Sequence, residues 1–94
     1  MLNFMNNSYN FNNKYPCETN DCTIVNFDTL QKARQDLIGE IQAVIEYDNH
    51  IRSTNVKLAK ETWENIKNEE LVHVGELLGL INYLDPCQRR YVLK

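Results

Sequence analysis

Two long stretches of this chain place apolar residues at helical spacing. From Leu30, steps of three and four residues pass through Ala33, Leu37, Glu40, Val44, Tyr47 and Ile51. From Ala59, the same stepping passes through Trp63, Ile66, Glu70, His73, Leu77, Leu80 and Leu84. That period puts each set on one face of an α-helix. A second apolar stripe lies beside each seam: Ile38, Ile41 and Ile45 on the first helix, and Leu71, Val74, Leu78 and Ile81 on the second.

Local signals set the boundaries. Asp28 followed three residues later by Gln31 is a capping-box start, and nothing but Gly39 weakens the helix from there to about Ile51. Arg52-Ser53-Thr54-Asn55 is the break, and Ser53, Thr54 or Asn55 can cap a second helix running from about Asn55 to Tyr83. So short a connection predicts an antiparallel two-helix hairpin. Asp85-Pro86-Cys87-Gln88 stops the second helix and opens a short C-terminal one, to about Leu93. The fold class is therefore all-α.

Residues 1–27 follow neither period. Eight of these 27 are Asn, which competes with helical hydrogen bonds, so this stretch reads as a flexible arm ahead of a helical domain spanning 28–94. Cys17 and Cys22 in the arm form C-x4-C without a second pair nearby, and free thiols are the expectation. Three cysteines, an odd count, point to a reducing cytoplasm, with Cys87 an unremarkable neighbour of a cap.

The polar residues on the seams carry the chemistry. Glu40, Glu70 and His73 interrupt otherwise apolar stripes, where unpaired carboxylates are costly to bury. Taking the turn near Thr54, they lie about 14, 16 and 19 residues from it, an axial mismatch of roughly 3 to 8 Å at the helical rise. Side chains lean toward their own helix N-terminus, which in an antiparallel pair narrows the gap. Two carboxylates and an imidazole suit iron, manganese or zinc. Ferritin-like di-iron sites take a Glu from each of two helices and a Glu-x-x-His from each of two more, so this chain holds half of one site. Two copies on a two-fold axis would complete it. They would also cover the second stripes, so burial and metal stoichiometry call for the same homodimer, a four-helix bundle. A Glu–His pair that only fixes register between helices is the non-metal alternative.

The segment Leu37-Ile38-Gly39-Glu40-Ile41-Gln42-Ala43-Val44-Ile45-Glu46-Tyr47-Asp48, with Glu70-Leu71-Val72-His73 following, resembles the ferritin-like superfamily. It is most similar to the encapsulated-ferritin branch of half-size hairpins, with rubrerythrin-like proteins as wider relatives. The resemblance covers about residues 28–93. It implies Fe(II) oxidation at a di-iron site shared between two subunits, with ligands Glu40, Glu70 and His73 and Tyr47 as a nearby aromatic. It also implies an annular oligomer held inside an encapsulin shell in the cytoplasm. Gly39 and Gln42 depart from the acidic residues that flank the first glutamate in that branch, and no shell-targeting peptide is visible before Lys94.

Other functions fit less well. A net charge of −3 gives no electrostatic reason to bind nucleic acid or an anionic membrane, and no apolar run is long enough to span a bilayer. A rubrerythrin-like peroxidase would need an outside electron donor, because the chain lacks C-x-x-C pairs. A non-enzymatic assembly protein would hold zinc or calcium structurally. His50, Asp36 and Glu76 read as solvated, and Trp63 as core.

Overall fold

The computed structural model describes residues 22–92, which form three helices: α1 (Phe27–Arg52), α2 (Lys57–Leu84) and α3 (Pro86–Val92). Helix α1 starts two residues earlier than a cap at Asp28 would allow. The cap is Asn26, whose Oδ1 accepts from the Thr29 N–H at 2.9 Å, leaving Asp28 in the first turn. Asn and Asp cap about equally well, and here the Asn lies first along the chain. Gln31 is not part of a capping box; its Oε1 accepts from Arg34 Nη1.

The connection differs similarly. Ser53 closes α1 rather than opening α2, its hydroxyl donating back to the Asn49 and His50 carbonyls. Thr54 Oγ1 accepts from the Val56 N–H, and α2 begins after Val56 with no side-chain cap of its own. The third cap stands as read from the chain: Asp85 Oδ1 accepts from the Gln88 N–H at 3.0 Å at the start of α3.

Helices α1 and α2 run antiparallel. Leu30 and Ala33 near the start of α1 share a core with Ile81 and Leu84 near the end of α2, while Asp48 near the end of α1 reaches Lys67. Among the described residues these four are the buried apolar core, and all lie at the end away from the connection. Ile24 and Leu37 pack against them. The molecule is correspondingly elongated, 55 × 24 × 18 Å. Leu80 falls off the buried face in favour of Ile81, because a step averaging 3.5 residues drifts around a 3.6-residue helix.

The core end is tied together further. Arg34 Nη2 reaches Asp85 Oδ2 at 2.6 Å and Gln88 Oε1 at 2.7 Å, linking α1 to the α2–α3 corner. The Val25 N–H donates to the Leu84 carbonyl at 3.0 Å. Cys22 and Cys87 form a disulfide, with Cα atoms 5.2 Å apart. This corrects the expectation of a free thiol at Cys22, and Cys87, read as unremarkable beside a cap, is its partner. It also removes the thiol argument for a reducing compartment. Residues 22–26 are fastened to the bundle end rather than forming part of a free arm. Cys17 and the rest of the arm lie outside the described residues.

Most of the second stripes stays uncovered, although Ile81 is in the core and Val74 is half-buried. Ile38, Ile41 and Ile45 are 61, 44 and 54% exposed, and Leu71 and Leu78 are 47 and 37% exposed. Each of the five stands one residue after a seam position. One residue is a 100° turn about the helix axis, and reversing both helix direction and viewing side leaves its sense unchanged. The two stripes therefore lie on one side of the pair. On α1 this side carries an open groove of about 350 Å³ lined by Leu37, Ile38, Ile41, Gln42 and Ile45. Among the described residues, no helix is long and apolar enough to cross a membrane.

Candidate metal centre

Glu40 comes from the middle of α1 and Glu70 and His73 from the middle of α2, and the antiparallel packing brings them level. One ligand atom from each lies within 4.8 Å of the others. His73 Nδ1 is 3.4 Å from Glu70 Oε1, one turn away on the same helix, and 3.5 Å from Glu40 Oε1 across the pair. Lys67 Nζ bonds Asp48 Oδ1 at 2.9 Å, crossing between the helices one turn nearer the connection than Glu70 and opposing any slip of one helix along the other.

The two carboxylates are partly sheltered, whereas the His73 side chain is half exposed. The shelter has an electrostatic consequence. Glu40 is pushed above the usual carboxylate range, first by a hydrogen bond shared with Glu70, then by loss of water and by the Glu70 charge. Glu70 is pulled down, first by that same hydrogen bond and then by His73. His73 is raised above its ordinary 6.5, chiefly by its bond to Glu70, with Glu40 adding to the effect. In the metal-free cluster, protonation is therefore favoured at Glu40 and His73 and disfavoured at Glu70.

These residues fit a divalent cation. Glu40 Oε1 is buried without a hydrogen-bond donor, an acceptor left facing the cluster. Around an ion with bonds of about 2.1 Å, two ligand atoms stand roughly 3 to 4.2 Å apart, so a pair at the 4.8 Å limit of the observed spread would have to close by about 0.6 Å or more. Two oxygens and one nitrogen leave several coordination positions open.

The pH dependence follows from the protons. In the folded apo-protein, the raised His73 contributes stability that is fully present below 6.5 and lost as pH rises through its higher folded value. Glu70 contributes stability above the usual carboxylate range that is lost as pH falls through its depressed value. A metal must displace the His73 proton. Apparent affinity for Fe(II) or Zn(II) is therefore expected to rise with pH, by up to about tenfold per unit, until the raised His73 value is passed, and to level off above it. Calorimetric titration in buffers of different ionisation enthalpy should show proton release on binding. A pH-independent affinity would contradict this arrangement.

Of the other residues singled out from the sequence, His50, Asp36 and Glu76 are not part of this ligand group. Tyr47 is half-buried, and its ring meets His50 edge-on with centroids 5.9 Å apart. His50 is exposed in the last turn of α1 and also meets Trp63, at 4.9 Å. Asp36 and Glu76 are exposed. The pattern of apolar positions did not draw attention to Arg34, Asp48 or Lys67. Lys67, three residues before Glu70, was the one available signal, since it stands next to Ile66 at the edge of the seam.

The chain matches no protein-family model, no curated protein and no solved structure.

Proposed function

We propose that this chain is one protomer of a ferritin-like iron oxidase of the half-size type. Two hairpins pair about a two-fold axis into a four-helix bundle with a di-iron site between them. The observation that carries this reading is the convergence of Glu40, Glu70 and His73 on a helix pair whose second apolar side is uncovered. A two-fold copy supplies each of the three residues again, giving four carboxylates and two imidazoles, the inventory of ferritin-like di-iron sites. The same copy covers Ile38, Ile41, Ile45, Leu71 and Leu78.

In this reading Fe(II) is the substrate. Glu40 and Glu70 draw the cation in, and His73 gives up its Nδ1 proton as it becomes a ligand. Two Fe(II) ions each lose one electron, and O2 takes both electrons and two protons and leaves as hydrogen peroxide. The carboxylates favour this direction because their negative charge stabilises Fe(III) more than Fe(II). The mixed O/N set also accepts manganese or zinc in place of iron. Assembly into a larger annular oligomer and enclosure in an encapsulin-type shell belong to the proposal as implications of the resemblance.

The test is metal analysis of the full chain purified without oxygen, together with its mass in solution. The expected result is a dimer or a multiple of it with one iron per chain, consumed as Fe(III) when air is admitted. Zinc retained without redox activity would make the chain a metal-stabilised assembly protein. Reoxidation by peroxide much faster than by O2 would favour a rubrerythrin-like peroxidase. A metal-free monomer would overturn the proposal.

A further inference from the structure

The Cys22–Cys87 disulfide joins a residue ahead of α1 to the second residue of α3, closing a loop with a sequence separation of 65. That loop contains both long helices. The bond also sits beside the core of the single chain: Leu30, Ala33, Ile81 and Leu84 are all at this end. Ile24, two residues from Cys22, packs on this core, and Val25 is bonded to Leu84. Toward the connection no apolar side chain is fully buried among the described residues. With four buried apolar residues among the described ones, the hydrophobic term is small, and small domains of this kind commonly depend on covalent cross-links.

We propose that this disulfide is a redox latch on the fold of the free protomer. While it is closed, the two helices stay packed as a single chain. When it opens, the antiparallel pair is held by the small core, by Arg34 on Asp85 and Gln88, and by Lys67 on Asp48. Ion pairs that are partly exposed add little to such a balance. Both cysteines are half-buried rather than sealed in the core, and exchange requires a small thiol to meet one of the two sulfurs. Opening is ordinary thiol–disulfide exchange. A dithiol gives two electrons and two protons to the sulfur pair, closes into its own cyclic disulfide, and leaves thiols at Cys22 and Cys87. The latch is independent of the metal reading, because it acts on the metal-free chain.

The experiment is thermal unfolding of the full chain by circular dichroism, with a chelator present, before and after dithiothreitol treatment, and with thiol titration to confirm reduction. Reduction is expected to lower Tm by on the order of 15 °C or more, given the length of the closed loop. Oxidised glutathione should restore it. Cys87→Ser should melt like the reduced chain with or without dithiothreitol, whereas Cys17→Ser should keep the full response. If Cys87→Ser fails to fold, the reduced wild-type chain, made from folded oxidised protein, decides the outcome. An unchanged Tm after confirmed reduction would overturn the latch. So would loss of the response in Cys17→Ser, which would mean a different pairing.

Discussion

Replacing His73 by alanine is expected to cut Fe(II) affinity at least about 100-fold and to abolish iron oxidation, and Glu70→Ala should do the same. Losing a partner one shell removed from a metal typically costs 10–100-fold, so losing a direct ligand costs at least as much. In either variant each chain contributes one ligand fewer, a loss of two of the six per dimer that leaves both halves of the site deficient. The fold should survive. His73 is half exposed, and neither residue belongs to the buried core. Removing His73 also leaves Glu40 and Glu70 facing each other without a cation, so the pH dependence of apo-protein stability should lose its component near neutrality. Isothermal titration with Fe(II) and an oxygen-consumption assay would check the first effect. Full activity in either variant would sink the metal assignment.

The second large effect is expected from Ile41→Glu. Ile41 stands near the middle of the uncovered apolar side, one residue from Glu40, and is 44% exposed in the single chain. A glutamate there costs the protomer little, within about 0.5 kcal/mol, as for most surface changes. At a two-fold interface the same substitution places two carboxylates in an apolar contact, next to four more at the metal site. An unpaired charge in such a setting costs several kcal/mol, so dimer dissociation should rise by at least about 100-fold. Iron oxidation should fall with it, because the site is completed only by the second copy. Leu58→Glu is the control. Leu58 is also strongly exposed, but it precedes its seam neighbour Ala59 and so lies on the opposite side of the pair. Sedimentation analysis of both variants separates the outcomes. A dimer unaffected by Ile41→Glu would place the interface elsewhere.

Much of this architecture was legible because helical periodicity is a local property. Seven positions of the first seam and eight of the second define a face before anything is known of the partner helix. A connection of a few residues then leaves one sensible arrangement of the two. Glu40, Glu70 and His73 stood out because they were the polar exceptions on those faces, and the structure brings their ligand atoms together. The helix starts were less legible. Asn26 and Asp28 are chemically near-equivalent caps two residues apart, and Ser53 bonds equally well to the helix behind it as to one ahead. The disulfide was hidden for a different reason. Pairing follows proximity in space rather than spacing along the chain, and the partner of Cys22 is 65 residues away. Arg34 was likewise invisible, because its role depends on where the α2–α3 corner comes to rest.

The position of the Cys22–Cys87 bond also decides how the protein would respond to force. Tension applied between the segment before Cys22 and the segment after Cys87 would pass from one sulfur directly to the other. The two long helices lie off that line. A pull on the ends of the chain would strain a covalent link and leave the three polar side chains between the helices mechanically at rest.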